Sequence, residues 1–402
     1  MFIFSKQKIA IFSLAIFVWL TLFPYIIWGK LYILSVIFML SAITSFLYLL
    51  EGGIKLQNLL FGYFIAILVL LFYKLNGASW GWTILMSFSI MLLLLYTRED
   101  IKKIFYLFKL FFAISLIPGM ILWLLFIIGF DINLLSLGSV ADGAVLNQTK
   151  VQAGVSYIVF PGSVMLDYML SWPIFRMQGM YDEPGVLGTI AALILVTEKM
   201  DFNKKLNLII FIGGLTSLSL AFYLIIAIYF ILNIKKNIKT VIISLSAILF
   251  IFVFLPSSVQ KSIEAKTIDR MQIDSNFNVS GDNRESKDSR NWANWKDSDT
   301  KNFLLGMKVE SDGSSSWKNI LILSGYFGFL ILLIIYFLLF FQKYRKVNYY
   351  HFVFIFIFIL SFTQRPYIVT PVYILIFIYA IETLRSKELV SNNILKPKYK
   401  SV

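Results

Sequence analysis

The chain has 402 residues, 59% of them hydrophobic and 14% charged, with a formal net charge of +14, no cysteine and one histidine. Apolar runs of membrane-crossing length recur from end to end, which excludes a soluble globular protein and predicts an all-α, polytopic integral membrane protein with a single membrane domain over residues 1–402. With no cysteine and His351 alone, disulfides, thiol nucleophiles and His-pair metal sites are excluded. The lysines cluster in short loops between apolar runs, where topology accounts for them without nucleic acid.

The first apolar run, 8–28, carries Lys6 and Lys8 at its start, is too long for a signal-peptide core and has no small-residue cleavage site after it. It is expected to remain as the first span. Further spans follow at 31–50, 56–73, 80–96 and 104–130. The stretch TREDIKK between the last two, with Arg98, Lys102 and Lys103, belongs in the cytoplasm by the positive-inside rule, and the N-terminus with it.

Span five then leads into a first external loop over about 131–184. Within it VSYIVFPGSVML, residues 155–166, reads as two short apolar runs about a Pro161–Gly162 turn, either a hairpin lying on the membrane or an irregular loop. The loop ends in FRMQGMYDEPGVLG, residues 175–188, at the mouth of a short span, 185–197. That span returns to EKMDFNKK, whose Lys199, Lys204 and Lys205 read as cytoplasmic.

The apolar stretch 206–232 has basic clusters at both ends, so a single crossing puts one of them on the wrong side. It is either one strongly tilted helix or two short ones broken near Gly213, Gly214, Thr216, Ser217 and Ser219; parity favours two. Each half is shorter than the ~20 residues of a full span, so the serine apex is expected below the membrane surface, lining a wet cavity open to the outside. Span 240–255 leads to a second external loop over about 256–318, and span 319–341 returns to QKYRKVNYYH. Spans 352–363 and 367–382 form a last hairpin with Gln364 and Arg365 at its outer turn, and the basic C-terminal tail ends inside. About twelve spans result.

Candidate charges for chemistry lie at the external face: Arg176 with Asp182 and Glu183; Arg270, Arg284 and Arg290; Lys308, Glu310 and Lys318; and Arg365. Arg176 and Arg365 adjoin apolar spans, where an ionised side chain costs about 2.5–3.5 kcal/mol at a helix centre and less near its end. Each either snorkels to headgroup phosphates or serves a site. Guanidinium forks converging at headgroup level suit a lipid-linked phosphate or diphosphate. Tyr157, Tyr168, Trp172, Tyr181, Trp292, Trp295 and Trp317 also fall in the external loops, either as an interfacial belt or as stacking platforms for sugars. His351 and the tyrosines beside it read as an interfacial belt at the inner face.

At these residues the sequence resembles the bacterial O-antigen polymerases of the Wzy type and the superfamily they share with O-antigen ligases. Arg176, Gly179, Glu183, Pro184 and Gly188 look like an external Arg/Gly/Glu–Pro signature, and GGLTSLSLAF, residues 213–222, resembles the serine-containing break that follows it. SRNWANW, with Arg290 and Trp295, and then Gly306, Asn319, Gly325 and Gly328 resemble the second-loop pattern. Ligases usually carry His before that Asn, whereas Lys318 stands here, which favours a polymerase.

The resemblance implies a glycosyltransferase of GT-C-like architecture in the cell inner (cytoplasmic) membrane, with both termini cytoplasmic and no metal or other cofactor. It would join polyprenyl-diphosphate-linked oligosaccharides, with membrane lipid around it and a chain-length regulator protein as an implied partner. In this reading Arg176 and Arg290 hold the diphosphate and Glu183 is the base, with Asp182 as rival. Arg284, Arg365, Asp182, Lys318, Trp295 and Tyr181 contact substrate. The other readings are an O-antigen ligase and a lipid-linked oligosaccharide flippase. A transporter of the latter kind should show repeated halves with charges near the midplane, and no internal repeat is visible. The topology has a direct test in a cysteine-free chain: single cysteines at Ser163 and Ser280 should react with an impermeant maleimide from outside, and one at Ser386 only after permeabilisation. Labelling of Ser386→Cys in intact cells overturns the threading.

Overall fold

The structure, a computed structural model, describes residues 5–27, 30–128, 156–159, 162–169, 172–181, 183–233, 246, 285–307, 317–343, 348–362 and 368–384. Expected span 240–255, apart from residue 246, lies outside the described residues. The chain is mostly helical, and the described part is an integral membrane protein. Four of its helices are long and apolar enough to cross a bilayer, Tyr32–Gly52, Leu56–Leu75, Arg98–Leu125 and Lys318–Gln342, and shorter apolar helices accompany them.

Helix α1 (Lys6–Leu20) starts where the Ser5 hydroxyl accepts the Lys8 N–H at 3.4 Å. It stops well before residue 28, which corrects the expected first span. Phe23 has φ 53°, Pro24 cannot donate to a helix, and Tyr25–Ile27 form a separate 3₁₀ turn. Helices α2 (Leu31–Gly52), α3 (Leu56–Leu75) and α4 (Trp80–Leu95) match their expected runs closely. Met39, Leu60 and Tyr63 on α2 and α3 are exposed, as a lipid-facing surface requires.

Helix α5 (Arg98–Ile127) begins earlier than expected, because TREDIKK is its capped first turns, not a connector. Thr97 Oγ accepts the Asp100 N–H at 3.3 Å and donates to the Asp100 carboxylate at 2.7 Å, while Glu99 and Asp100 favour the positive end of the dipole. Asp100 is buried and also accepts from Gln7 Nε2 at 2.8 Å and the Tyr48 hydroxyl at 3.0 Å, so one carboxylate ties α1, α2 and α5 together.

A three-stranded antiparallel sheet departs from the all-α expectation: β1 (Ser156–Val159), β2 (Gly162–Met169) and β3 (Trp172–Met177), in that order. The first two strands form a hairpin, the first of the two readings of 155–166, with Gly162 not in the turn but paired with Val159 as the first residue of β2. The third was not read from the sequence, because Pro173 argues against a strand; at the sheet edge its missing N–H costs no ladder bond.

Helix α6 (Pro184–Thr197) is followed by α7 (Lys205–Thr216) and α8 (Leu220–Asn233), with a break at 217–219. The Phe211 and Phe222 rings are 6.0 Å apart, whereas an unbroken helix would carry them roughly 16 Å apart along its axis. Stretch 206–232 is therefore a helical hairpin. Gly214 makes the return possible, since a side chain there would overlap the Phe222 ring.

Further along the described chain come α9 (Glu285–Lys296), α10 (Thr300–Leu305), α11 (Trp317–Lys343), α12 (Tyr349–Phe362) and α13 (Pro371–Thr383). Helix α11 is kinked at Gly325 (φ 63°), and the freed Ile322 carbonyl accepts the Met307 N–H at 2.6 Å. Gly306 (φ 87°) and Gly325 lie backbone against backbone, each in a space where a Cβ would overlap the other segment.

Helices α6 and α13 are buried nearly all round and form the centre of the bundle. At roughly 21 and 20 Å they are shorter than the ~30 Å hydrocarbon layer. His351, expected in an interfacial belt, is instead buried in the first turn of α12, with Nε2 2.9 Å from the Ile381 carbonyl of α13.

At the end of α6 a buried ion pair joins four helices. Glu198 lies 3.3 Å from Lys109 of α5, also meets Lys204 before α7, and accepts the Tyr379 hydroxyl of α13 at 2.7 Å. Side-chain exposure is 2% for Glu198 and 5% for Lys109, so neither charge can turn to water if its partner is lost. Glu198→Gln should cost about 3–5 kcal/mol, read as a fall in the thermal midpoint of detergent-purified protein. Lys109→Leu combined with Glu198→Gln should recover most of it; a single variant as stable as wild type overturns this assignment.

Candidate functional site

Strand β3 delivers Arg176 to the break between α7 and α8. Arg176 pairs with Met165 of β2 in register, and strand alternation sends Arg176 and Met177 to opposite faces. Met177 is buried against α7, where its sulfur accepts the Thr216 hydroxyl at 3.3 Å. Arg176, half-buried, donates from Nε to the Ser217 carbonyl at 3.3 Å. A guanidinium has five N–H donors in one plane, so this bond on Nε limits the directions in which the rest of the fork can point.

The break is internally satisfied. Leu218 takes the left-handed conformation (φ 47°), the Ser217 hydroxyl donates to the Gly214 carbonyl at 2.6 Å and accepts the Ser219 N–H at 3.3 Å, and the Ser219 carbonyl starts α8 by accepting from Tyr223 N–H at 3.2 Å. The Tyr223 hydroxyl closes the loop by donating to the Leu215 carbonyl at 2.9 Å. Ser217 and Ser219 are buried at 0% and 2% exposure. This corrects the expectation that the serines line a wet cavity: both are buried, the Ser217 hydroxyl and both amides are paired with protein, and α6 covers them. Gly188 is the covering residue, with the Ser217 Oγ 3.1 Å from where its Cβ would be and the Ser219 side chain overlapping it.

Helix α6 begins at Pro184 in the N1 position, with Glu183 extended at the N-cap, as the Glu–Pro pair predicts. Glu183 is half-buried and makes no side-chain capping bond, while its carbonyl accepts from Val186 at 3.1 Å. Gly179 has φ 67°, and Gly119 of α5 packs so closely that a Cβ on it would be 2.8 Å from the Gly179 Cα. The two parts of the sequence signature, Arg176 to Gly188 and the serine break, are thus one contiguous unit braced on α5.

The other candidates divide. Tyr181 is fully buried, its hydroxyl 2.6 Å from Ser115 Oγ and 3.1 Å from the Trp19 Nε1 donor. Trp295 is 1% exposed and stacked between Trp292 and Phe303, each at 4.9 Å, so neither ring face is open to a sugar. Both are packing residues: Tyr181 within the main core, and Trp295 in a separate cluster between α9, α10 and α11. Lys318, half-buried in the first turn of α11, stands 5.9 Å from the Trp292 ring centroid. Arg290 falls on α9, which packs on α11, and its side chain lies outside what is described. Arg284, Arg365 and Asp182 lie outside the described residues, so the convergence of arginines rests on Arg176 alone. No group of three or more His, Asp or Glu side chains that could hold a metal ion occurs among the described residues.

Two contributors were not read from the sequence. Tyr223 sits one turn into α8, a polar ring in an apolar run directly after the SLS break. Gly119, beside Pro118 in α5, meets Gly179. A Pro–Gly pair inside a span was the available signal for a backbone approach there.

If α6 covers the break through Gly188, Gly188→Ala should destabilise the protein by about 1–3 kcal/mol through overpacking, and Ser219→Gly added to it should restore part of the loss. Additive single effects in that thermal-stability cycle overturn the contact. Comparison with protein-family models, with curated proteins and with solved structures finds no match to this chain.

Proposed function

We propose that the protein is a repeat-unit polymerase of a bacterial surface polysaccharide, O-antigen or capsule, working at the outer face of the cytoplasmic membrane. About twelve spans of GT-C-like arrangement, cytoplasmic termini and a chain-length regulator as partner belong to this proposal. The observation that carries it is the placement of Arg176: a half-buried guanidinium that donates to the Ser217 carbonyl of a helix break, whose serines pack against Gly188 near the start of a buried helix. A fixed cation beside a helix N-terminus is what an anionic leaving group needs.

The reaction is glycosyl transfer between two polyprenyl-diphosphate-linked glycans. The bond between the anomeric carbon of the growing chain and its diphosphate oxygen breaks, and the electron pair leaves with the diphosphate. A hydroxyl at the non-reducing end of the new repeat unit forms the bond to that carbon, and its proton passes to a carboxylate. Arg176 and Arg290 stabilise the charge that develops on the leaving diphosphate, with Arg365 or Arg284 as a further contact. Glu183, or its neighbour Asp182, takes the proton. Preorganisation is the catalytic device in this scheme, since a guanidinium already oriented by a backbone carbonyl need not reorient as charge develops.

Removing one such charge-stabilising donor costs about 100- to 1,000-fold in turnover. Cells carrying Arg176→Ala or Arg290→Ala at normal protein levels should therefore show a single surface repeat unit without the ladder of longer chains. Arg176→Lys, which keeps the charge but loses the planar fork, should give a shortened ladder. An unattached first unit would point to a ligase, a unit trapped inside to a flippase, and unchanged ladders in both alanine variants overturn the assigned roles.

A further inference from the structure

A second site lies at the other end of α5. Between the first turns of α1 and α5 opens a cleft of about 780 Å³, inside the range of roughly 300–1,000 Å³ that holds small ligands. Its α5 wall is a single helix face, since Lys102, Lys103, Tyr106 and Leu107 recur at three- and four-residue spacing, and Lys8 and Phe12 on α1 face it one turn apart. Lysines occupy the end where both helices begin; the aromatic and aliphatic side chains follow roughly 6 Å further along the axes. The cleft is therefore graded from cationic to apolar in the direction of the bilayer.

Its charges are not cancelled. Lys102 pairs with Glu99 at 2.7 Å, and Lys103 lies 3.7 Å from Asp100, a carboxylate already taken up by Gln7, Tyr48 and Thr97. Lys8 has no ion-pair partner among the described residues. Three ammonium groups thus face two carboxylates, one of them buried. Lys102 and Lys103 remain 35% and 55% exposed, so their heads can reach a ligand. Phe12 and Tyr106, at 49% and 54% exposure, continue the apolar wall out to the lipid-facing surface.

We propose that this cleft binds an anionic diacyl phospholipid of the leaflet surrounding the first turns of α1 and α5, the leaflet that the positive-inside rule assigns to the cytoplasm. The headgroup phosphate lies among Lys8, Lys102 and Lys103, the glycerol region fills the cleft, and the acyl chains run out along Phe12 and Tyr106. A bilayer phospholipid, not the polyprenyl-linked substrate, is the occupant, because Gly119, which meets the Arg176 unit, is roughly 20 Å further along α5. The proposal is independent of the polymerase reading.

The test is native mass spectrometry of the full chain, delipidated in detergent and offered dioleoyl-phosphatidylglycerol or dioleoyl-phosphatidylcholine, whose acyl chains are identical. The first adduct should be about fivefold or more abundant with phosphatidylglycerol. That preference should vanish in the Lys8→Gln, Lys102→Gln, Lys103→Gln protein and survive when the same three positions become Arg. Equal retention of the two lipids by the wild-type chain overturns the proposal, as does an undiminished preference in the glutamine protein. Displacement of phosphatidylglycerol by equimolar polyprenyl monophosphate overturns the choice of occupant. The wild-type comparison decides the matter even where the triple variant fails to fold.

Discussion

A helix broken inside an apolar bundle leaves backbone groups that water cannot reach, and each must find a partner in the protein. That constraint organises the region around Ser217. Seven residues answer it together: Gly214 and Leu215 supply carbonyls, Ser217 and Tyr223 supply hydroxyls, Ser219 restarts the helix, Gly188 lets a neighbouring helix close over the gap, and Arg176 donates to the Ser217 carbonyl. The arginine is thus part of the solution to a folding problem before it is part of any chemistry. The same bond that satisfies the carbonyl aims the guanidinium.

Around that unit the bundle is held at α5. Its first turns are tied to α1 and α2 by Asp100, its middle to α6, α7 and α13 by Lys109 with Glu198 and Asn207, and its last turns to the β3–α6 connection by Gly119. Each tie is of a different kind: a carboxylate accepting several neutral donors, a buried ion pair, and a contact between glycine backbones. A buried ion pair is weak evidence of stability in itself, but it specifies which helices meet. The short central helices α6 and α13 need such specification, because uniform apolar faces give little register of their own.

Much of this was legible in the sequence wherever a polar or special residue interrupted the oil. Lysines at both ends of 206–232 demanded a return, and the glycine pair with serines showed where. Pro184 marked the first turn of α6, and the Pro161–Gly162 pair marked the hairpin. What stayed hidden was set by tertiary partners. Trp295, Tyr181 and His351 have side chains at home either in an interface or in a core, and only their neighbours decide which. The early start of α5 was masked because the charges of TREDIKK read equally as a loop and as a capped first turn. Strand β3 was masked by Pro173, which an edge tolerates and a centre does not.

The lock between Gly306 and Gly325 bears on how such a chain can change over generations. A contact made by two main chains carries no information in side chains, so almost any substitution around it leaves the meeting intact, while a single methyl at either glycine does not. The segment that carries α10 is thereby anchored on α11 by its backbone, whatever side chains stand around the contact. The surrounding residues can drift while the kink itself, set by two main chains, keeps a shape that never has to be reinvented.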